Sequence, residues 1–486
     1  MSEPALTRGP THTRPARARG VNGGVAAQAT LIYLGFSLQL LQVGLIPLLP
    51  VIGKDLRITP GETSWLVTSG LLSGAICLAV LTRLSDLIGK RRVVLLCLVL
   101  VLIGSILGWI ADSLTMLIVS RVLMGAVLPM LALPEAIAAD TIPSPKSQVT
   151  IGAIHAGTGV GIAGGLLLGA LAGAGDASWR IFFAAGEICS VLGIVVTIAF
   201  VRESPARSPS RFDVVGAGLL SAGLIGVLLA VGEGATWGWG SATELLVGLI
   251  GVALLVVWVL SQRWIEQPLI SVERLVAPEL RIPYAITFLA AFGVYGAFTA
   301  ISRLAQTPTS TGFGYGYSTL QIAWFAIPQA IGALLTVYVI RRLAPRGHVV
   351  TALVLGTSMT TLAFLLFLLF THRPGVVLVA LLIYAASTGT ILAATQIVIV
   401  SAVPAADSGI ALGLSVVLYA VGNATGSAVV GVFFTSFTIA HTGLPSLQGY
   451  RWGFIASGLA GLLAIMLCGP LMWRRAQRAP AVARES

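Results

Sequence analysis

Charge is scarce in this chain. Asp, Glu, Lys and Arg make up 10% of its 486 residues, where a soluble protein carries about a quarter. The deficit excludes an ordinary water-soluble fold. With 56% hydrophobic residues and a mean hydropathy of +0.95, the apolar surface exceeds what a soluble core can hide, so lipid must solvate much of it. Cysteine is scarce too. Cys77, Cys97, Cys189 and Cys468 sit in apolar runs without metal-ligand spacing, which reads as buried hydrophobes, with no disulfide and no metal. The five histidines (His12, His155, His348, His372 and His441) are scattered. No nucleophile with its base, paired carboxylates or metal cluster stands out, which argues against an enzyme, a membrane-embedded one included. A Gly-rich phosphate loop is missing, and no soluble stretch could house a nucleotide domain, which excludes an ATP-driven pump. No cofactor is implied.

What is abundant is apolar runs. A bilayer core of about 30 Å needs about 20 apolar residues as a helix. Runs near that length fall at 28–51, 63–83, 93–111, 114–138, 149–172, 180–201, 212–232, 243–262, 282–302, 319–340, 349–370, 375–402, 409–438 and 452–473. Lipid offers the backbone no partners, so each run is expected to be helical: an all-α membrane protein of fourteen spans. Residues 1–26 hold Arg, Pro, Thr and Ala without a hydrophobic stretch. They read as a disordered cytoplasmic tail with no cleavable signal.

The net charge of +11 does not point to nucleic acid, because the basic residues cluster in short loops between apolar runs. With the N-terminus inside, 22 of the 29 Lys and Arg residues fall in inner loops and tails and 6 in outer loops. That asymmetry puts both termini in the cytoplasm of a multi-pass protein of the cell (inner) membrane. A weak repeat divides the chain. LLSGAICLAVLTRLSDLIGKRRVVLLCLVL at 71–100 and IPQAIGALLTVYVIRRLAPRGHVVTALVLG at 327–356 each give an apolar helix, a tight basic loop and another apolar helix. The expected organisation is a six-helix bundle at 27–203, a linker with two helices at 204–263, a second six-helix bundle at 264–474 and a cytoplasmic tail at 475–486.

Several residues stand out within this frame. The loop after the second helix reads Leu84-Ser85-Asp86-Leu87-Ile88-Gly89-Lys90-Arg91-Arg92. Gly89 permits a turn too tight for a side chain, and Asp86 can face the N-terminus of a neighbouring helix or pair with an arginine. Arg121 and Gly125 share a face of the fourth helix. A charge at such depth marks a pathway or a buried pair, or else an Arg that caps backbone carbonyls. Gly157, Gly161, Gly165 and Gly169 recur every fourth residue in the fifth helix, a groove where another backbone can approach; Gly409, Gly413, Gly422 and Gly426 repeat the idea later.

Within the helices the ionisable residues are Arg121, Glu135, His155 and Glu187. Arg121 and Glu187 both lie roughly 9 Å from the outer ends of their helices at 1.5 Å per residue. They are expected to face each other, with Glu187 as a proton-coupling carboxylate. Glu135 and His155, at matching depth near the inner side, are further candidates for proton coupling. Gln39, Gln42, Gln329, Gln396 and Asn423 are candidates for a solute cavity, against the alternative of helix-to-helix hydrogen bonding.

The loop resembles the signature of the major facilitator superfamily, Gly-x-Leu-x-Asp-Arg-x-Gly-Arg-basic-Arg. Leu84, Asp86, Gly89, Lys90, Arg91 and Arg92 fit it; Thr82 replaces the first Gly and Leu87 the first Arg. The resemblance implies that this loop is a conformational latch between two bundles and that Arg121 belongs to proton coupling. Ser178-Trp179-Arg180, Arg211-Phe212-Asp213 and Trp237-Gly238-Trp239, with the fourteen-helix layout, look like the drug:proton antiporter branch. Two departures matter. Leu41 stands where that branch has an Asp in its first helix. In the fifth, Gly164 and Gly165 fit Gly-Pro-x-x-Gly-Gly, but Val160 and Gly161 replace its Gly-Pro. The reading that follows is a monomeric, proton-coupled secondary exporter of small amphipathic molecules. An uncoupled uniporter or a lipid or metabolite exporter is the alternative.

Overall fold

A computed structural model describes residues 24–173, 178–204, 213–238, 240–262, 278–318, 321, 324–404, 408–439 and 444–482. The tail expected at 1–26 falls outside them up to residue 23, as do Arg211, Phe212, Trp239, residues 263–277 and residues 483–486. α1 runs over Val25–Val43 and, after a 3-10 turn at Ile46–Leu48, resumes as Leu49–Leu56. α2 is Pro60–Ile88 and α3 is Lys90–Trp109. α4 starts as Leu114–Met124, tightens into a 3-10 stretch at Gly125–Met130 and ends as Ala132–Thr141. Then come α5 (Lys146–Gly173), α6 (Ile181–Phe200), α7 (Val214–Trp237) and α8 (Ala242–Ser261). α9 (Pro278–Gln306), α10 (Ala326–Leu343) and α11 (Val349–Leu369) follow, then α12 (Pro374–Ala402), α13 (Ser408–Ser436) and α14 (Leu447–Val482).

Twelve helices among the described residues are long and apolar enough to cross a membrane; α7 and α9 fall outside that group. Local chemistry places the boundaries. Thr59 and Glu62 form a reciprocal capping box at the start of α2, with Glu62 Oε2 2.8 Å from the Thr59 amide, and Asp213 caps α7 by accepting from the Gly216 amide at 2.7 Å. The 3-10 stretch of α4 contains Pro129, which lacks the N–H that a continuous helix would need.

Pairings recur between the two parts of the chain. α1 packs on α5 as α9 packs on α13, and α3 on α6 as α11 on α14. The glycines explain the first pairing. A Cβ on Gly157 would lie 2.8 Å from the Ile32 carbonyl and one on Gly165 2.6 Å from that of Leu40; Gly161 and Gly169 are tighter still against Phe36 and Gly44. The stripe of α5 thus meets successive turns of α1 backbone to backbone. On α13, Gly422 and Gly426 lie in the same way against the Phe288 and Phe292 carbonyls of α9.

Two seams join the parts: α2 against α13, and α5 against α10. α7 and α8 form a hairpin closed at Gly226 and Gly251. It covers the first seam, burying Leu220, Leu224 and Trp258 against Ala79, Val417 and Val421. The outer face of α8 stays bare at Leu246 and Leu249, as a lipid-facing surface should.

Candidate functional site

At the basic-loop end, α2 passes to α3 through a single residue, Gly89, at φ +114°. A side chain is excluded there twice over: by that backbone conformation, and because a Cβ would lie 2.5 Å from the Glu203 carboxyl carbon. Glu203, just past α6, accepts from the amides of Arg91 at 3.0 Å and Arg92 at 3.3 Å. It thereby satisfies donors that the first turn of α3 leaves free. The Arg92 side chain, by contrast, is exposed and reaches Glu203 only at 4.0 Å.

Lys90 is fully buried, and so is Asp86. The Lys90 ammonium lies 3.5 Å from Asp86 and 2.5 Å from Asp140 at the end of α4. It also donates to Ser408 Oγ on the first residue of α13 at 3.1 Å. Asp140 further accepts from Ser204 at 2.5 Å and from Ser408 at 3.3 Å. Asp86 abuts the first turn of α13 so closely that a Cβ on Gly409 would come 2.5 Å from its Oδ1, where a carboxylate is favoured by the helix dipole. One turn on, Gly413 leaves room for Thr82. The loop is thus tied to α13 by buried charge, and Lys90 supplies the cation where Leu87 has none. Glu203, Asp140, Ser204 and Ser408 were not visible in the sequence as members of this cluster.

A cavity of about 680 Å³ lies between the two parts. Gln39 and Gln42 of α1, Gln329 of α10 and Asn423 of α13 line it, and α7 contributes Leu228. Gln42 Oε1 and Asn423 Oδ1 are buried atoms with no hydrogen-bond partner among the described residues. Gln396, the fifth candidate, does not line the cavity. The α12 lining ends at Leu392, and Gln396, a turn nearer the basic loops, is buried in packing at 2% exposure. The cavity reaches Arg303, Thr438 and Pro445 at the end remote from Lys90. Toward the basic loops it is closed by α5 packing on α10, where a Cβ on Gly152 would lie 2.8 Å from Ile340.

The expected pair of Arg121 and Glu187 is not formed. Arg121 donates from Nε to the Leu66 carbonyl of α2 at 3.0 Å, and its guanidinium lies against Gly70. Arg121 is therefore the carbonyl-capping Arg of the alternative reading. Glu187 sits half-buried on α6, beside the exposed Ile188. Both α4 and α6 pack on α3, and equal depth along two helices does not give equal direction around them. Gly125, one turn beyond Arg121, packs against Ser73 and Gly74 of α2.

The pair that does form is Glu135 with His155. His155 Nε2 lies 2.8 Å from Glu135 Oε1, and both side chains are buried. His155 also lines the cavity, while Glu135 sits behind it. Glu135 Oε2 has no hydrogen-bond partner among the described residues. An ionisable pair at the base of a large, mostly apolar cavity can change its protonation together with what fills the space.

The family model described as Major Facilitator Superfamily matches residues 26–300. The chain is 27% identical over 419 residues to an uncharacterised MFS-type transporter of Mycobacterium tuberculosis, covering 84% of this chain and 59% of that protein. It therefore spans about three-fifths of that relative's length. It is 26% identical over 431 residues to the multidrug efflux pump LfrA of Mycolicibacterium smegmatis, covering 86% of this chain and 82% of that one. Among solved structures, the human organic anion transporter MFSD10 matches with a TM-score of 0.63 at 19% identity, over 92% of this chain and 100% of that one. That last likeness is one of fold.

Proposed function

The chain belongs to the major facilitator superfamily, a family of transporters and not of catalytic folds, and on that premise we propose that it is a proton-coupled secondary exporter of small amphipathic molecules. The observation that carries the reading is the cavity between the two parts, lined by apolar groups and amides, with Lys90 tying the parts together on the basic-loop side and the lining running to Arg303 and Thr438 at the other end. Alternating access needs such an arrangement: a central site and a closure that can move to the other side. The efflux-pump relative points to the same direction of transport. In this reading all fourteen helices span the membrane, residues 27–203 and 264–474 are the two bundles, and both termini are cytoplasmic. The cavity then faces outward, and the Lys90 cluster is the cytoplasmic latch.

Coupling is assigned to Glu135 and His155, a carboxylate and an imidazole 2.8 Å apart, of which His155 borders the cavity. A proton taken up by Glu135 removes its attraction for His155 and frees the His to reorient toward solute. The test is transport into inside-out vesicles, with and without an imposed proton gradient, across a panel of amphipathic solutes. Glu135→Gln should keep solute exchange and lose gradient-driven accumulation. Unchanged dependence on the gradient would favour the uncoupled alternative. That second reading has its own observation: Leu41, where the resembled branch has an Asp, is buried near Gly186 of α6 and does not line the cavity.

A further inference from the structure

The charges facing the cavity are unevenly distributed. Among the described residues that line it, none is Asp or Glu, and the basic groups are His155 at the base and Arg303 toward the open end. His155 already has a carboxylate behind it. Arg303 has no carboxylate within 4.0 Å among the described residues. Its guanidinium carbon lies 6.0 Å from the centre of the Phe434 ring, and Phe434 itself lines the cavity.

We propose that the cavity selects amphipathic anions: an apolar, ring-containing body carrying one carboxylate, with the carboxylate received by Arg303 and the body lying along the apolar wall. The proposal rests on the transporter reading above and names its substrate class. Three considerations lead to it. First, a guanidinium offers a planar fork of donors that matches a carboxylate with two parallel hydrogen bonds, which an amide or a lone ammonium does not. Second, a cationic solute would meet no fixed negative charge in the lining and would be repelled at the entrance, so the same residue discriminates in both directions. Third, the aromatic face nearest the entrance, which would otherwise attract a cation, is engaged by Arg303 itself. The amides of Gln42 and Asn423, whose oxygens lack partners, can turn either their oxygen or their NH₂ toward polar groups further along the body. They therefore add affinity without selecting for charge.

The test uses three probes of nearly equal shape: anthracene-9-carboxylate, anthracene-9-carboxamide and 9-anthracenylmethylammonium. Each is titrated by fluorescence into the purified full-length protein in lipid nanodiscs, with empty nanodiscs as the partition control. Wild type should bind the carboxylate about tenfold more tightly than the carboxamide, and the ammonium most weakly. Arg303→Gln should lose that tenfold preference and leave the carboxamide unchanged. Arg303→Lys should retain the order, which keeps the charge effect apart from any loss of packing on Phe434. Arg303→Glu should invert it. Equal or tighter binding of the carboxamide or the ammonium by wild type, no specific binding of the carboxylate, or an equal loss for all three probes in Arg303→Gln would each overturn the proposal. Binding requires neither a gradient nor a direction. A failed vesicle experiment with a correct charge order would therefore sink the exporter reading alone, and the converse result would sink only the charge selection.

Discussion

The two seams that join the halves of this protein are held by different physics. At α2 and α13 the contact is a buried cluster in which one ammonium answers two carboxylates, with serine hydroxyls filling the remaining positions, and the α7–α8 hairpin covers it. At α5 and α10 the contact is one of shape: Gly152 receives Ile340 and Gly159 receives Ala333, and no ion pair joins the two helices among the described residues. The uncovered seam also holds a smaller cavity of about 240 Å³, lined by Pro47, Leu166, Ile301 and Phe325. A charged contact breaks at a threshold, because removing one partner strands the others in low dielectric. A contact of close-packed surfaces yields gradually, at a cost that scales with the volume forced in.

Substitutions can set the two apart. The largest effect should come from Lys90→Met, which removes the buried ammonium that lies between Asp86 and Asp140. Loss of one partner of a buried pair costs about 3–5 kcal/mol. The variant should therefore melt well below wild type in detergent and lose transport in vesicles. Near-wild-type melting would show that the cluster is not what holds α2 to α13. Gly89→Val comes next. The positive φ and the Glu203 carboxyl both refuse a branched side chain, so transport should be abolished while the protein still reaches the membrane, as read by membrane fractionation beside a flux assay. Full flux at normal expression would remove the turn from the mechanism.

On the other seam, Gly159→Val pushes against Ala333 and should cost about 1–3 kcal/mol of overpacking. That is enough to raise the population open at the basic-loop end, measured as faster labelling of a cysteine placed at Ile340. Unchanged labelling would mean that shape does not hold this side. The smallest effect should be at Glu187. The residue is half-buried and shares no ion pair with Arg121, so Glu187→Gln should shift stability by no more than about 0.5 kcal/mol and leave the dependence of transport on pH gradient unchanged. A lost gradient dependence would restore Glu187 to the coupling role and displace Glu135.

Much of this was legible in the residues, and the reasons it stops are geometric. The glycine stripe of α5 could be read because a four-residue spacing fixes a face, and a face without side chains can only meet another backbone. Asp86, Gly89 and Lys90 could be read because they are neighbours in one turn. Their partners could not: Glu203 is 112 residues from Arg91, and Ser408 is 318 residues from Lys90, and nothing local announces either. Depth was read correctly for His155 and Glu135 but misled for Arg121 and Glu187, since hydropathy gives position along a helix and not direction around it. Gln396 shows the same limit among amides, with the cavity ending one turn short of it.

The 3-10 stretch at Gly125–Met130 accounts for the difference between those two ionisable pairs. Arg121 and Glu135 are fourteen residues apart on α4. Wound as continuous α-helix at about 100° per residue, they would point within about 40° of each other. Each residue of 3-10 winding adds roughly 20° more, so six of them carry the second segment about 120° further around, from about 40° on one side of Arg121 to about 80° on the other. Arg121 therefore looks toward α2 while Glu135 looks toward α5 and His155. Rewinding those six residues as α-helix would swing Glu135 away from His155 by that same angle. The phase of one short segment, rather than the distance between helices, sets whether the carboxylate and the imidazole can meet.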